Sequence, residues 1–300
     1  MKAQRGVALI TALLMVAIAL VLAAAMASRQ HLDIRRTGGL LHGEQAWAYA
    51  LGAENWARVV LRRDGEDSET DTLSEAWSTQ PPVSFVEGGS IVGRLLDMQA
   101  RFNVNNLVDN GEANPVFVDM YKRLLVRLDL EEQLADSLVD WMDSDIDVRF
   151  PDGAEDETYL LRDPPYRAAN RPLSDVTELR LVNGYSAEVL DILQPYIVAL
   201  PVPTPININT ADALILSILA EDLTVSDGQA LAEGRGEEGY ESVDTFTQDP
   251  ILAGKGLDPS LMSIKTDWFL MLTEASIGQG RARLASLIQR TGQDLRRRSR

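Results

Sequence analysis

An uninterrupted apolar run near the N-terminus constrains this chain more than any other feature. From Val7 to Ala27 the sequence VALITALLMVAIALVLAAAMA contains no charge, no proline and no glycine. As a helix rising 1.5 Å per residue it would be roughly 31 Å long, about the thickness of a bilayer's hydrocarbon core. Lys2 and Arg5 precede the run, and a short basic head favours a cytoplasmic N-terminus with the remainder exported. The sequence therefore predicts a single membrane-crossing helix.

Three interpretations of this segment compete. Residues 25–27, Ala-Met-Ala before Ser28, form the small-x-small end of a removed secretory signal, although such signals have apolar regions of about 7–15 residues. The second interpretation is a plain, uncleaved membrane anchor. The third rests on MKAQRG followed by VALITALLM, which resembles a type IV prepilin leader. That resemblance implies cleavage between Gly6 and Val7 by a prepilin peptidase, followed by methylation of the new amine.

One residue departs from the pattern of the pilins and pseudopilins that the leader resembles. Most of them carry Glu at the fifth position of the mature chain, and this chain has Thr11 there. In that family the Glu pairs with the N-terminus of a neighbouring subunit. Its absence suits a subunit with no subunit above it to receive, so the resemblance points to the tip of a filament.

Composition excludes several classes of function. The chain has 45 Asp and Glu against 28 Lys and Arg, a formal net charge of −17, which argues against a protein that grips nucleic-acid phosphates. It contains no cysteine and two histidines, His31 and His42. Thiolate catalysis and Cys-ligated metals are therefore excluded, and a histidine triad has almost nothing to work with.

Beyond the apolar run, the residue patterns change from helix to strand and back. Gly89–Val104 has the apolar, β-branched composition of a strand or hairpin. Trp268–Ile277 and Arg281–Ile288, separated by residues 278–280 (Gly-Gln-Gly), predict a terminal hairpin. Between them, apolar residues recur at helical spacing from Pro115 to Pro201. This arrangement resembles an α+β pseudopilin fold, a long N-terminal helix plus a small antiparallel sheet, with a large inserted α-helical domain.

The predicted boundaries follow from these patterns. They are a leader at 1–6, a transmembrane part of the helix at 7–27, its periplasmic continuation at 28–64, a β core at 84–104 and 266–291, the inserted helical domain at 105–265 and a basic tail at 292–300.

A dense acidic stretch is the one candidate site. Between Asp129 and Glu157 lie twelve Asp or Glu and a single basic residue, Arg149, and so many carboxylates repel one another unless solvent or a cation intervenes. The alternating carboxylates resemble the start of an EF-hand loop, but Val148 and Ala154 occupy the positions of the required Gly and Glu. Oxygen ligands without His or Cys favour calcium over zinc or copper. The predicted ligands of one or two Ca²⁺ are Asp140, Asp143, Asp145, Glu155 and Asp156.

Two other interpretations of the acidic stretch stay open at this point. A solvated acidic face is the ordinary role of a charge run, although interleaved Trp141, Phe150 and Tyr159 indicate a folded loop. A glycosidase needs only two carboxylates, but nothing singles out a pair. We therefore expect no enzyme.

A second segment, residues 205–211 (PININTA) and its continuation, resembles the helix-hairpin-helix modules of competence-type DNA-binding proteins. In those modules a glycine-bearing hairpin offers backbone N–H groups to phosphate. Here the corresponding stretch 221–228 is acidic and would repel phosphate. We expect a structural module in which Asn207 and Asn209 pin a turn. Residues 101–105 (RFNVN) echo this segment, but two five-residue matches do not establish a repeat.

The order of these features resembles the K-type minor pseudopilin of bacterial type II secretion, general secretion pathway protein K. The acidic block, residues 164–173 (PPYRAANRPL) and the INxNTA stretch carry the resemblance. It implies a single-pass inner-membrane subunit, with its bulk in the periplasm, at the pseudopilus tip. It also implies partnership with the I- and J-type minor pseudopilins and the major pseudopilin, a part in pseudopilus initiation, length control and protein export, and bound Ca²⁺. The alternative is a calcium-stabilised, membrane-tethered periplasmic binding protein or hydrolase.

Overall fold

The structure, a computed structural model, describes residues 5–79, 82–291 and 294–298. Its α-helices are α1 (Arg5–Asp67), α2 (Pro115–Arg127), α3 (Leu134–Met142), α4 (Asp156–Tyr159), α5 (Ala187–Leu193), α6 (Ala213–Ser217), α7 (Val225–Gly234) and α8 (Val243–Thr247). Short 3₁₀ helices lie at Val104–Leu107, Val176–Leu181, Pro250–Leu252 and Pro259–Leu261. Its strands are β1 (Ser84–Val86), β2 (Gly89–Asp97), β3 (Phe102–Asn103), β4 (Val108–Asp109), β5 (Glu112–Ala113), β6 (Ile197–Val198), β7 (Ile206–Asn207), β8 (Met262–Ser263), β9 (Trp268–Ile277), β10 (Gly280–Thr291) and β11 (Asp294–Arg298).

The first element is one continuous helix of 63 residues. It passes through Gly38 and Gly39 without interruption and continues beyond the predicted end at residue 64 to Asp67. Among the described residues it is the one helix long and apolar enough to cross a membrane. Its apolar side chains are exposed, as in Leu9 and Leu20, which is the arrangement that suits a lipid-facing surface.

A five-stranded sheet has the order β1-β2-β9-β10-β11. The short connection through Gly278 joins β9 to β10, as predicted from the Gly-Gln-Gly sequence. The described part of the basic tail forms β11, antiparallel to β10. The predicted β core reached residue 104, but β2 ends at Asp97, and Phe102–Asn103 instead pairs in parallel with Ile197–Val198.

The chain divides into two compact units. The first contains the described residues of Met1–Asn55, Pro81–Gly93 and Leu272–Leu284. Its core packs small residues of α1, Ala46 and Ala50, with Ala275 and Ile277 of β9. Alanines on the helix leave little volume between its backbone and the strand, so the two elements pack closely.

The second unit contains Arg94–Met271, with the described residues of Trp56–Gln80 and Ala285–Arg300. Its main core gathers the apolar faces of α2, α3, α5, α6 and α7. Tyr121 of α2 is fully buried and stacks on Phe102 with ring centroids 5.4 Å apart. Its hydroxyl lies 3.0 Å from that of Tyr185, so the buried polar atom has a partner.

The two echoed sequences perform the same structural task. Asn105 exchanges two hydrogen bonds with the backbone of Leu173, at 2.8 and 2.9 Å. Asn209 exchanges two with the backbone of Tyr240, at 2.7 and 3.0 Å. In each case the Asn two residues earlier, Asn103 or Asn207, accepts the backbone N–H of the pinning Asn. The echo therefore marks two equivalent asparagine pins, which hold distant loops onto the buried segments that directly follow β3 and β7.

Candidate functional site

The acidic cluster lies between the C-terminal end of α3 and the start of α4. Asp140 is on the last turn of α3, Asp143 is its C-cap, and Glu155 is the N-cap of α4. Carboxylate oxygens of Asp143, Asp145 and Glu155 all lie within 4.8 Å of one another. Asp140, Asp143 and Glu155 are buried, whereas Asp145 is exposed. The structure thus brings three of the five predicted ligands to one point across the loop between α3 and α4, and Asp140 lies near enough to act electrostatically on Asp143 and Glu155.

Several oxygens of this cluster are buried without a hydrogen-bond partner. They are Oδ1 of Asp140, Oδ1 of Asp143 and both carboxylate oxygens of Glu155. Asp140 uses its other oxygen to accept the backbone N–H of Arg149, at 3.1 Å. A buried carboxylate oxygen without a donor is costly, so these atoms form a set of acceptors that suits a cation.

The electrostatics of the cluster point the same way. Burial, and then the neighbouring carboxylates, raise the pKa of Asp143 to about 6 and that of Glu155 to about 7. Burial also raises the pKa of Asp140. Without a cation, the carboxylates disfavour one another's ionised forms. A hard divalent cation with oxygen ligands, such as Ca²⁺, would satisfy both the unpaired oxygens and the charge.

The fifth predicted ligand is engaged elsewhere. Asp156 accepts from the guanidinium of Arg167 at 3.0 Å and from the backbone N–H of Ala168 at 3.1 Å. Both of its carboxylate oxygens therefore have donors outside the cluster. Asp156 ties residues 164–173 to α4, a role that no local spacing indicated.

That segment, which carried part of the family resemblance, closes over the acidic loop. The backbone N–H of Asn170 donates to the carbonyl of Trp141 at 3.0 Å, and its side chain donates to the carbonyl of Asp145 at 3.3 Å. Tyr166 stacks on Tyr159, with ring centroids 5.4 Å apart. Sequence reasoning missed Asn170 and Tyr166 as supports of the site. The recurrence of aromatics beside the acids was the available signal.

Gly153 allows the loop to return to α3. A Cβ built on it would lie 2.2 Å from Oδ2 of Asp140 and 2.5 Å from the carbonyl of Arg149. Such distances are impossible for a real side chain, so the close approach requires glycine. Ser137 then fixes the loop by donating to the carbonyl of Asp152, at 2.7 Å.

A second group of carboxylates, Asp64, Asp71 and Glu75, also has oxygens within 4.8 Å of one another. The guanidinium of Arg290 already forms ion pairs with two of these carboxylates, donating to Asp64 at 3.0 Å and to Asp71. The Nε1 of Trp77 donates to Glu75 at 2.7 Å. Burial, and then Glu75 and Asp71, raise the pKa of Asp64 to about 7. We interpret this group as an ion-pair network rather than a metal centre.

The predicted processing residues, Gly6 and Val7, belong to the first turns of α1, where the structure describes the backbone. Thr11 is exposed on the same helix, and its hydroxyl donates to the carbonyl of Ala8 at 3.0 Å. The hydroxyl is therefore satisfied within its own helix. Cleavage between Gly6 and Val7 stays a prediction.

Comparison with known proteins gives a consistent result. Two family models, both described as type II secretion system (T2SS) protein K, match residues 100–202 and 206–265. A type II secretion system protein K from Pseudomonas aeruginosa is 40% identical over 96% of this chain and 90% of its own. The protein K of Aeromonas hydrophila is 33% identical over 96% of this chain and 94% of its own.

A solved structure agrees with these relatives. A chain in the crystal structure of the GspK-GspI-GspJ complex from the enterotoxigenic Escherichia coli type 2 secretion system superposes with a TM-score of 0.78 at 32% identity. The match covers 87% of this chain and 97% of that one. The predicted α+β fold with an inserted helical domain is confirmed. Since relatives at this identity cover nearly the whole chain, the protein belongs to the protein K family of type II secretion systems, the K-type minor pseudopilins, which are structural components and not enzymes.

Proposed function

We propose that this minor pseudopilin forms the tip of the pseudopilus, together with the I- and J-type minor pseudopilins, and caps filaments of the major pseudopilin. The observation that carries the proposal is the similarity, over most of both chains, to a chain solved in a GspK-GspI-GspJ complex. Thr11 supports the tip position, because its hydroxyl offers no charge to a subunit above it. In this arrangement the apolar N-terminal part of α1 crosses the inner membrane once, and the rest of the chain lies in the periplasm.

Co-purification tests the tip assignment. We expect the full chain, extracted in mild detergent from its host, to bring down the I- and J-type minor pseudopilins in near-equal amounts. A chain lacking residues 105–265, the predicted inserted helical domain, shows whether that domain is needed to retain the partners. Recovery of the full chain without other prepilin-type proteins would overturn the proposal and favour an independent binding protein.

The leader should be removed by prepilin peptidase. We expect the mature protein to begin at Val7 and to carry one additional methyl group on its N-terminal amine, because a short basic leader ending in Gly6 precedes the apolar helix. Mass spectrometry of protein extracted from host membranes measures this directly. A mature chain beginning at Ser28 would show an ordinary secretory signal and contradict a place in a filament.

The acidic cluster is proposed to hold calcium. Asp140, Asp143, Asp145 and Glu155 supply the oxygens, while Asp156 stays paired with Arg167. The unpaired buried oxygens of three of these residues support the assignment. The bound calcium would fix the loop between α3 and α4, since the cation would link both ends of that loop. This role is structural, as weak calcium sites often are in exported modules.

A further inference from the structure

The stretch from the end of α3 to the residues just beyond α4 carries several exposed large apolar side chains. Its large apolar side chains that face solvent are Ile146, Val148, Phe150, Leu160 and Leu161. We call these five residues the apolar rim. Phe150 is 93% exposed and Leu161 is 89% exposed. Beyond α1, Phe85 is the one other described large apolar residue exposed to a comparable degree, at 86%.

The apolar rim stands on an ordered base. The carbonyl of Asp145 accepts from Asn170, and the N–H of Arg149 donates to Asp140. The carbonyl of Asp152 accepts from Ser137, and close packing leaves no room for a side chain at Gly153. A mobile loop would bury such side chains against the nearest apolar surface. Here the hydrogen-bonded backbone holds them outward, at a continuing cost that association with a partner would relieve.

Charge limits what that partner can be. Residues 143–163 contain eight Asp or Glu and two Arg. Of the acids, Asp147, Asp152, Glu157 and Asp163 are exposed, and they surround the apolar residues along the chain. The anionic headgroups of a bacterial membrane would be repelled by this border, and so would a second copy of a chain with a net charge of −17. A surface with an apolar centre and a basic border is complementary to it.

We propose that the apolar rim is a docking surface for a folded protein whose own surface presents an apolar patch bordered by Lys and Arg. Phe150 and Leu161 provide the contact area, since exposed aromatic and aliphatic anchors dominate such interfaces. The exposed acids steer and orient the partner. The proposal does not depend on the tip position. Because the rim stands on the loop that the proposed calcium would fix, the variants used to test it leave the proposed metal ligands unchanged.

Site-specific photo-crosslinking in the host tests the proposal on the full chain. We expect Phe150→p-benzoylphenylalanine to crosslink to a protein. Val225→p-benzoylphenylalanine, at another exposed apolar position of the same unit, should not. The crosslinked peptide of the partner should contain apolar residues flanked by Lys or Arg. Adding Asp152→Asn, Glu157→Gln and Asp163→Asn should lower the crosslink yield at least threefold, because the substitutions remove the negative charges that orient a basic partner. These three acids are not among the proposed metal ligands.

Each alternative has its own signature. Lipid adducts at Phe150 would overturn the proposal in favour of a membrane surface. A crosslink to a second copy of this chain, equal yields at positions 150 and 225, or a yield unaffected by neutralising the three acids would also overturn it. Phe150→Ser with Leu161→Ser provides a further check. Because both side chains are exposed, these substitutions should leave the thermal midpoint unchanged. They should abolish crosslinking from p-benzoylphenylalanine placed at the neighbouring position 148.

Discussion

Removal of calcium is expected to lower the thermal unfolding midpoint of the full chain in detergent by roughly 5–10 °C. A ligand present at about one hundred times its dissociation constant stabilises the folded state by about 2.7 kcal/mol. In a domain of this size, 1 kcal/mol shifts the midpoint by roughly 2–4 °C. Trp141 packs against Tyr159 beside the cluster, with ring centroids 4.9 Å apart, so tryptophan fluorescence would follow the unfolding locally.

A double variant, Asp143→Asn with Glu155→Gln, separates calcium binding from other effects. In calcium it should unfold at a lower temperature than the parent chain. After chelation it should be at least as stable as the parent, because the substitution removes two buried carboxylates that repel each other. Asp152→Asn with Glu157→Gln is the matched control, since these acids are exposed in the same stretch. Parent and double variant with equal responses to chelator would contradict the site.

The raised pKa values add a pH dependence with a defined sign. In the folded chain without calcium, the pKa of Asp143 is raised from 3.8 to about 6, and that of Glu155 from 4.5 to about 7. The folded state then binds more protons than the unfolded state in this interval, so stability falls as pH rises from about 4 to 7. Calcium requires the ionised carboxylates, so its stabilising effect should grow over the same interval. Midpoints measured with and without calcium should therefore diverge as pH rises.

Replacing Gly228 by alanine is expected to destabilise the second unit by about 3 kcal/mol. Gly228 lies on α7 where the helix crosses α6, and an added Cβ would lie 1.9 Å from the carbonyl oxygen of Ala213 and 3.1 Å from the backbone nitrogen of Ser217. The obstructing atoms belong to the backbone, so no side-chain rotation relieves the clash. The two helices must move apart and leave voids in a close-packed core.

Gly234 on the same helix is the matched control. A Cβ there would meet the Tyr240 hydroxyl at 3.4 Å, which is an ordinary contact. Gly234→Ala should therefore be neutral or stabilising by up to about 1 kcal/mol, through helix propensity. Urea denaturation followed by circular dichroism measures both variants. Equal midpoints for Gly228→Ala and Gly234→Ala would show that the α6–α7 packing is looser than the structure describes.

Local patterns were sufficient for the outline of the fold. The apolar run predicted a helix long enough to cross a membrane, and alternation with a Gly-Gln-Gly turn predicted the β9–β10 hairpin. Periodicity predicted helices between Pro115 and Pro201, where α2, α3 and α5 lie. Each of these depends on the arrangement of side chains along a few successive turns or pleats, which neighbouring residues alone decide. The resemblance to the K-type family added the order of the parts.

The acidic stretch was recognised as a unit, but its internal assignments required the fold. Spacing grouped Asp156 with the cluster, whereas the structure pairs it with Arg167. Spacing also gave no reason to choose Asn170, which holds Trp141 and Asp145 across more than twenty residues of chain. Carboxylates a few residues apart can face a common point or opposite directions, and the loop path set by Gly153 decides which.

The long apolar N-terminal helix, the alternation of helical and strand segments, the acidic character of the candidate site and the exclusion of cysteine chemistry follow from the sequence, because these are properties of composition and short-range order. The equivalence of the two asparagine pins, the convergence of the oxygens of Asp143, Asp145 and Glu155 and the outward display of the apolar rim required the tertiary structure. All three depend on contacts between residues far apart in the chain, whose geometry is set by the packing of the whole unit.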